Sequence, residues 1–322
     1  MLKYIHKPKR ARDRILKLID IKNESQADPF IFEANGKFYV YATGRKGVAL
    51  YRADDLFGKW ESLGICAGIP GKKEFWAPSV IEIDGKYYMY VSCMNEDETD
   101  THLQTMYVFT ADSPEGPFTD AKKIIEPFAI DSHVVKNEAG LFMFYSTNDY
   151  EAERVGTYIV VDRMTDPFTM EGKPVAVVRP TLDEEIFQRD RFRKGQHWHT
   201  LEGAFYFRIG DRHFLVYSGN CYENEYYYLG YATAETPEND LTKVKFTKYP
   251  SPDVYAPLIR KNEWDEGTGH NSMIEYKGEW YCVYHGRNWG TNVAGSDNRT
   301  ARVAKIAVDG LKLTAIRKKD EI

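Results

Sequence analysis

Five residues with chemical potential stand where short extended segments open. They are Asp28 in Ala27-Asp28-Pro29, Trp76 in Trp76-Ala77-Pro78, Asp131 in Ile130-Asp131-Ser132, Glu202 in Glu202-Gly203-Ala204, and His270 in Gly269-His270-Asn271-Ser272. Three are carboxylates. A pair of carboxylates flanking a glycosidic bond is what its hydrolysis needs: one, protonated, donates to the leaving oxygen, while the other, ionised, activates water or attacks directly. A third carboxylate near the acid would raise its pKa by like-charge repulsion and keep it protonated near neutral pH. A tryptophan beside them suits an apolar sugar face.

What brings such distant residues together is a repeat. Five aromatic phrases recur at Asn35–Gly44, Asp84–Cys93, Glu138–Thr147, Gly210–Gly219 and Lys277–Gly286. Each opens on a turn glycine, runs through aromatic and β-branched residues, and ends near a small residue. The glycines Gly36, Gly85, Gly140, Gly210 and Gly278 are spaced 49, 55, 70 and 68 residues apart. A hairpin period near 50 predicts propeller blades. A second element follows most phrases, at Val48–Glu61, Tyr107–Asp120, Thr157–Glu171 and Leu229–Asp240: an apolar strand, then a Pro/Gly turn. Asp166-Pro167-Phe168 belongs to this grammar and reads as a turn. The expected fold is all-β, a five-bladed β-propeller with four strands per blade, in one catalytic domain over residues 1–322. Residues 1–22 form a lead-in, residues 172–201 an insertion on the binding face, and the text from Arg299 completes the last blade. The five openings should then converge at one end of a central channel.

Composition narrows the function classes. The chain has 322 residues, is 43% hydrophobic and 14% aromatic, and carries a net charge of −5. No nucleic-acid partner is expected from such mixed charge. The basic run Lys3, Lys7, Lys9, Arg10, Arg12, Arg14 and Lys17 reads as a solvated lead-in. No segment has the length of a membrane span. Cys66, Cys93, Cys221 and Cys282 fall in no ligand spacing, and with no apolar leader visible the expectation is a cytoplasmic protein with reduced thiols. His197 and His199 have zinc-compatible spacing but lack a third ligand.

These motifs, in this order, resemble glycoside hydrolase family 43, the five-bladed propeller β-xylosidases, α-L-arabinofuranosidases and arabinanases, over about Ala27 to Gly310. The resemblance implies an inverting mechanism. It makes Asp28 the general base, Glu202 the general acid, and Asp131 the residue that tunes and orients Glu202. It places His270 beside a central calcium through water, Arg299 on substrate hydroxyls with Arg302 as the alternative, and Trp76 at the sugar wall. No cofactor is required for the chemistry. Ala204 stands where the family often has proline, and Ser132 likewise. The implied substrate is a short pentose oligosaccharide, cleaved from its end. A fructosidase of the related propellers fits less well, because Asp131 lacks a flanking Arg and Pro and Glu202 is followed by glycine rather than cysteine. A non-catalytic sugar-binding propeller would need no acids at these openings.

Overall fold

The computed structural model describes residues 17–22, 24–291 and 298–317. The basic residues before Lys17 lie outside the described residues. Among the described residues there is no α-helix, and the chain is all-β.

The strands form four sheets, which divide into five successive antiparallel arrays because the ten-stranded sheet holds two of them, joined by a short parallel pairing of Gly156–Thr157 with His199–Thr200. The first is β1 (Phe30–Ala34), β2 (Lys37–Ala42), β3 (Val48–Ala53) and β4 (Glu61–Ala67). The second is β5 (Lys72–Ile83), β6 (Lys86–Asn95), β7 (Thr105–Ala111) and β8 (Thr119–Ile125). The third is β9 (Ile130–Asn137), β10 (Gly140–Asp149) and β11 (Gly156–Asp166), with β12 (Thr169–Met170) and β13 (Val175–Val178) both paired to β11. After the short β14 (Ile186–Gln188) comes the fourth: β15 (Trp198–Ile209), β16 (Arg212–Gly219), β17 (Tyr228–Glu235) and β18 (Thr247–Lys248). The fifth is β19 (Asp265–Tyr276), β20 (Glu279–Asn288), β21 (Thr300–Asp309) and β22 (Lys312–Ile316).

The aromatic phrases are the second strands, and their turn chemistry explains the hairpins. Asn35-Gly36, Asp84-Gly85 and Lys277-Gly278 each hold positive φ at both central residues, the geometry that matches strand twist in a two-residue loop. The phrases are continuously apolar because both faces are covered. On β2, Tyr39 and Tyr41 pack with Tyr87 and Met89 of β6. The alternate residues Phe38, Val40 and Ala42 pack with Tyr281 and Val283 of β20. Burying each such side chain contributes roughly 1.5–3 kcal/mol.

Neighbouring arrays meet through their first strands: β1 touches β5, β5 touches β9, β9 touches β15, β15 touches β19, and β19 touches β1. Side chains make most of these joins. Ser79 and Ser132 hydroxyls lie 3.1 Å apart, the Tyr206 N–H donates to His133 Nδ1 at 2.9 Å, and the Ile31 N–H donates to Ser272 Oγ at 2.9 Å. The N-terminal stretch reaches the fifth array, where Leu18 N–H donates to Ala301 O and Gln26 N–H to Arg299 O, both at 3.0 Å.

The expected insertion needs redrawing. Val175–Val178 is an outer strand of the third array, and Trp198 already begins β15. Only residues 179–197 lie outside the regular arrays, and even these contain β14, which pairs with β15. The segment is anchored. Glu185, fully buried, accepts the Thr181 and Leu182 N–H groups and binds the Lys248 ammonium. Asp166-Pro167-Phe168 is a turn, as expected, with Phe168 N–H donating to Asp166 Oδ1 at 2.7 Å.

Breaking a buried pair strands one charge. Lys248→Met should therefore lower the unfolding free energy by about 3–5 kcal/mol, read as a lower urea midpoint. Adding Glu185→Gln, which keeps an acceptor for the two N–H groups without the charge, should recover part of the loss. An unmoved midpoint in Lys248→Met would show that the pair does not hold the segment.

Candidate active site

Each first strand has, just ahead of it or within it, a residue in the left-handed backbone region that faces the site. In array order these are Asp28 (φ 52°), Ala77 (φ 47°), Asp131 (φ 59°), Gly203 (φ 63°) and His270 (φ 41°). Four of them sit at breaks in strand register. In the first array Thr43 N–H bonds Ala27 O, so Asp28 and Pro29 oppose Ala42 alone. Such bulges bend a strand and re-aim a side chain. Pro29 and Pro78 occupy the unpaired positions, where a missing N–H costs nothing.

Three of the left-handed residues are held from the preceding array. The polar residue ending the first aromatic phrase, Thr43, accepts the Ala77 N–H at 2.9 Å. Ser218, ending the fourth, accepts the His270 N–H at 2.7 Å. His285, ending the fifth, accepts the Asp28 N–H at 3.1 Å. Glycine is required at 203: a Cβ there would stand 2.9 Å from His270 Nδ1.

The predicted residues come together. Asp28 Oδ1 lies 3.3 Å from Arg299 Nη1, 3.2 Å from His285 Nδ1 and 3.6 Å from His270 Nδ1. Its Oδ2 accepts the Thr43 hydroxyl at 2.5 Å. Asp131 Oδ2 lies 3.9 Å from His270 Nδ1 and accepts the Gly203 N–H at 3.0 Å, next to Glu202. Glu202 Oε1 accepts the hydroxyl of Tyr227 at 2.7 Å. Trp76, adjoining the Ala77 bulge, is half-buried, and its Nε1 donates to Glu74 Oε2 at 3.2 Å.

The three carboxyls diverge in charge. Burial alone would raise Asp28, but the Arg299 charge, with His270 and His285, outweighs it and holds the carboxyl well below its ordinary value. Burial pushes Glu202 up to about 7, with Asp28 adding repulsion and the Tyr227 hydroxyl pulling the other way. Burial, then the charges of Glu202 and Asp28, push Asp131 well above its ordinary value. The push on Glu202 was expected from Asp131. Burial is the larger cause, and the repulsion between these two carboxyls is reciprocal, so they hold protons as a pair. Burial lowers both His270 and His285, the latter to about 4.

Arg299 stands beside Asp28. Its guanidinium binds Asp28 and lies 5.0 Å from the Tyr222 ring, so it sets the charge of Asp28 directly. Arg302 is fully buried against Asp265, away from Asp28. Calcium takes six to eight oxygen ligands. Among the described residues no three His, Cys, Asp or Glu side chains group to hold an ion, so the protein groups around His270 do not make a calcium cage by themselves. His197 and His199 are likewise apart from any such group: His199 Nε2 faces Arg154 and His197 faces Asp190.

Sequence reasoning missed Thr43, Tyr227 and His285. A signal existed for two of them, because Thr43 and His285 occupy matching places near the ends of their phrases. Tyr227 had none beyond Gly269, whose absent Cβ would stand 1.9 Å from its ring.

The family model described as Glycosyl hydrolases family 43 matches residues 20–310. Among curated relatives, an extracellular exo-α-(1→5)-L-arabinofuranosidase of Streptomyces avermitilis is 28% identical over 88% of this chain. The chain spans 60% of that protein's length. A xylosidase/arabinosidase of Humicola insolens is 25% identical over 82% of this chain and 89% of its own. Among solved structures, a thermostable family-43 glycoside hydrolase superposes with a TM-score of 0.73 at 26% identity, covering 91% of this chain and 95% of that one. An α-L-arabinofuranosidase from Lactobacillus brevis shares the fold, with a TM-score of 0.76 at 24% identity over 95% and 97% of the two chains.

The Tyr227 hydroxyl favours the ionised form of Glu202. Removing it in Tyr227→Phe should move the Glu202 titration upward from about 7, visible by NMR of carboxyl-labelled protein. A midpoint that stays put or falls would mean the hydroxyl does not tune this group.

Proposed function

The chain belongs to glycoside hydrolase family 43, and from that premise we propose an inverting exo-glycosidase that removes terminal pentosyl units from short oligosaccharides. One observation carries the assignment of roles: in a shared buried cluster, Asp28 is held ionised while Glu202 is raised to about 7. Two carboxyls whose surroundings push their pKa values apart are an acid and a base. Asp28, Glu202 and Asp131 form the machinery. Asp28 takes a proton from water as that water's oxygen adds to the anomeric carbon. The bond to the leaving oxygen breaks, and that oxygen receives the proton of Glu202. Water on the face opposite the leaving group gives inversion. Asp131, bonded to the Gly203 N–H, orients the Glu202 backbone and shares its proton equilibrium.

Trp76 is the proposed sugar wall, and Arg299 fixes Asp28 for the substrate. The cyclic contacts among first strands, together with the N-terminal stretch on the fifth array, support a single domain closed as a five-bladed propeller. Action at chain ends is supported by the exo-acting Streptomyces relative. The names of relatives support an α-L-arabinofuranosyl or β-D-xylosyl unit. The Streptomyces relative's name places it outside the cell, against the cytoplasmic expectation for this chain. The catalytic proposal is the same in either compartment.

Proton NMR of early products from aryl arabinofuranoside and xyloside should show the inverted anomer, and a retained anomer would remove Asp28 as base. Glu202→Ala should lose roughly 10²–10⁴-fold on alkyl pentosides and far less on activated aryl pentosides, which need little acid help. Asp28→Ala should lose turnover on both. Equal losses on both substrate types in Glu202→Ala would contradict its role as acid.

A further inference from the structure

The loop joining β16 to β17, residues 220–227, touches both halves of the carboxylate cluster. The Tyr222 ring lies 5.0 Å from the Arg299 guanidinium, which binds Asp28. Five residues on, the Tyr227 hydroxyl donates to Glu202 at 2.7 Å. Between them the loop is open to solvent at Glu223 and Tyr226. Exposed loop backbone opens locally at little cost, so two side chains held this closely need ties from elsewhere. The fifth array supplies them.

Arg287, on β20, is 3% exposed, and its Nη2 donates to the Tyr222 carbonyl at 2.8 Å. Its side chain needs a gap in β19, and Gly267 makes one. A Cβ at 267 would stand 2.3 Å from Arg287 Nη1 and 3.1 Å from Asn224 O. Gly267 has φ 56°, lies in a register break of β19, and donates its own N–H to Glu225 O at 3.2 Å. Beside it, the buried Thr268 hydroxyl donates to Tyr227 O at 3.4 Å. Tyr227 itself is 1% exposed and stacks on His285 with ring centroids 5.7 Å apart. The loop is therefore tied at 222, 225 and 227. The first tie is charge-assisted, roughly twice as strong as a neutral bond. Burying a guanidinium is costly, and an apolar side chain would fill the space without that cost. What the arginine adds is a donor at the Tyr222 end of the loop.

We propose that Arg287 is a positioning residue for the reaction. By clamping the Tyr222 carbonyl it sets the loop, and through the loop it places the Tyr222 ring against Arg299 at the base and the Tyr227 hydroxyl against the acid. Arg287 acts through those side chains. This deepens the hydrolase reading and rests on it.

The test compares the parent with Arg287→Met, which keeps a long side chain without donors. Substrates are a methyl pentoside and an activated aryl pentoside of the series that the parent cleaves. Turnover, kcat, should fall at least about tenfold on both, because base and acid are displaced together, with KM within about twofold. Arg287→Lys, which restores one donor, should lie between the two. A double-mutant cycle separates positioning from a general weakening of the fold. Tyr227→Phe should cost at least about threefold less in the Arg287→Met background than in the parent. An unchanged kcat in Arg287→Met overturns the proposal. So do losses that simply multiply across the cycle, and so does a Tyr227→Phe enzyme as active as the parent. If Arg287→Met does not fold, Arg287→Lys takes its place in the cycle. A parent enzyme that cleaves neither pentoside series overturns the hydrolase reading itself, and this inference with it.

Discussion

The structure depends on one kind of contact: a backbone N–H at a left-handed residue, caught by a side chain of the neighbouring array. A non-glycine residue in this region costs on the order of 1–2 kcal/mol. One buried hydrogen bond returns about 0.5–1.5 kcal/mol. The two nearly cancel, so the bulge at Asp28 persists because His285 meets its N–H, and that at His270 because Ser218 does. The same contact settles where the side chain points. Arrays that share almost no ladder bonds are thereby registered to one another at the level of the reacting groups.

Charge then differentiates residues that geometry has made equivalent. Asp28 and Asp131 occupy corresponding bulges, yet one is driven down and the other up. The difference lies in their neighbours. Asp28 has Arg299, the Thr43 hydroxyl and two histidines around its oxygens. Asp131 has one N–H and faces two other carboxyls. Glu202, which accepts a tyrosine hydroxyl, is raised like Asp131. Three buried carboxyls beside one nearby guanidinium cannot all ionise. The proton settles on the members least supported, which leaves Asp28 charged.

The five arrays and their openings were legible because aromatic runs buried on both faces leave a strong pattern, punctuated by glycine at each turn. Asp28, Asp131 and Glu202 followed from their place in that pattern. The third array was read short, since Val175–Val178 carries no aromatic residue and pairs late, after the two-residue strand Thr169–Met170. Tyr227 was invisible because its meaning lies in contacts with Glu202 and His285 that no sequence pattern marks. Thr43, Ser218 and His285 were visible only as a row of polar residues ending phrases. Their shared task, reaching a bulge in the next array, exists only once the arrays are stacked. The row is also imperfect: Ser92 and Ser146, at the matching ends in the second and third arrays, have buried hydroxyls without hydrogen-bond partners among the described residues. There the bulge at Gly203 takes its bond from Asp131 instead. That substitution is consequential, because it spends a carboxylate oxygen on the backbone beside Glu202 and so couples the two groups.

The segment 179–197 shows how a variable edge is mounted on this frame. Its base is fixed by the buried Glu185–Lys248 pair and by Thr181 bonding to Pro252 O. Beyond the base, Arg191 lies 4.7 Å from the Trp198 ring and bonds His102 of the second array at 3.1 Å. Phe192 and Tyr150 pack on the same tryptophan while staying about half exposed. A rigid base with an aromatic, charged crest can vary at its crest without disturbing the bulges below. The chemistry is thus set by contacts between arrays, while this segment stands on an anchor of its own.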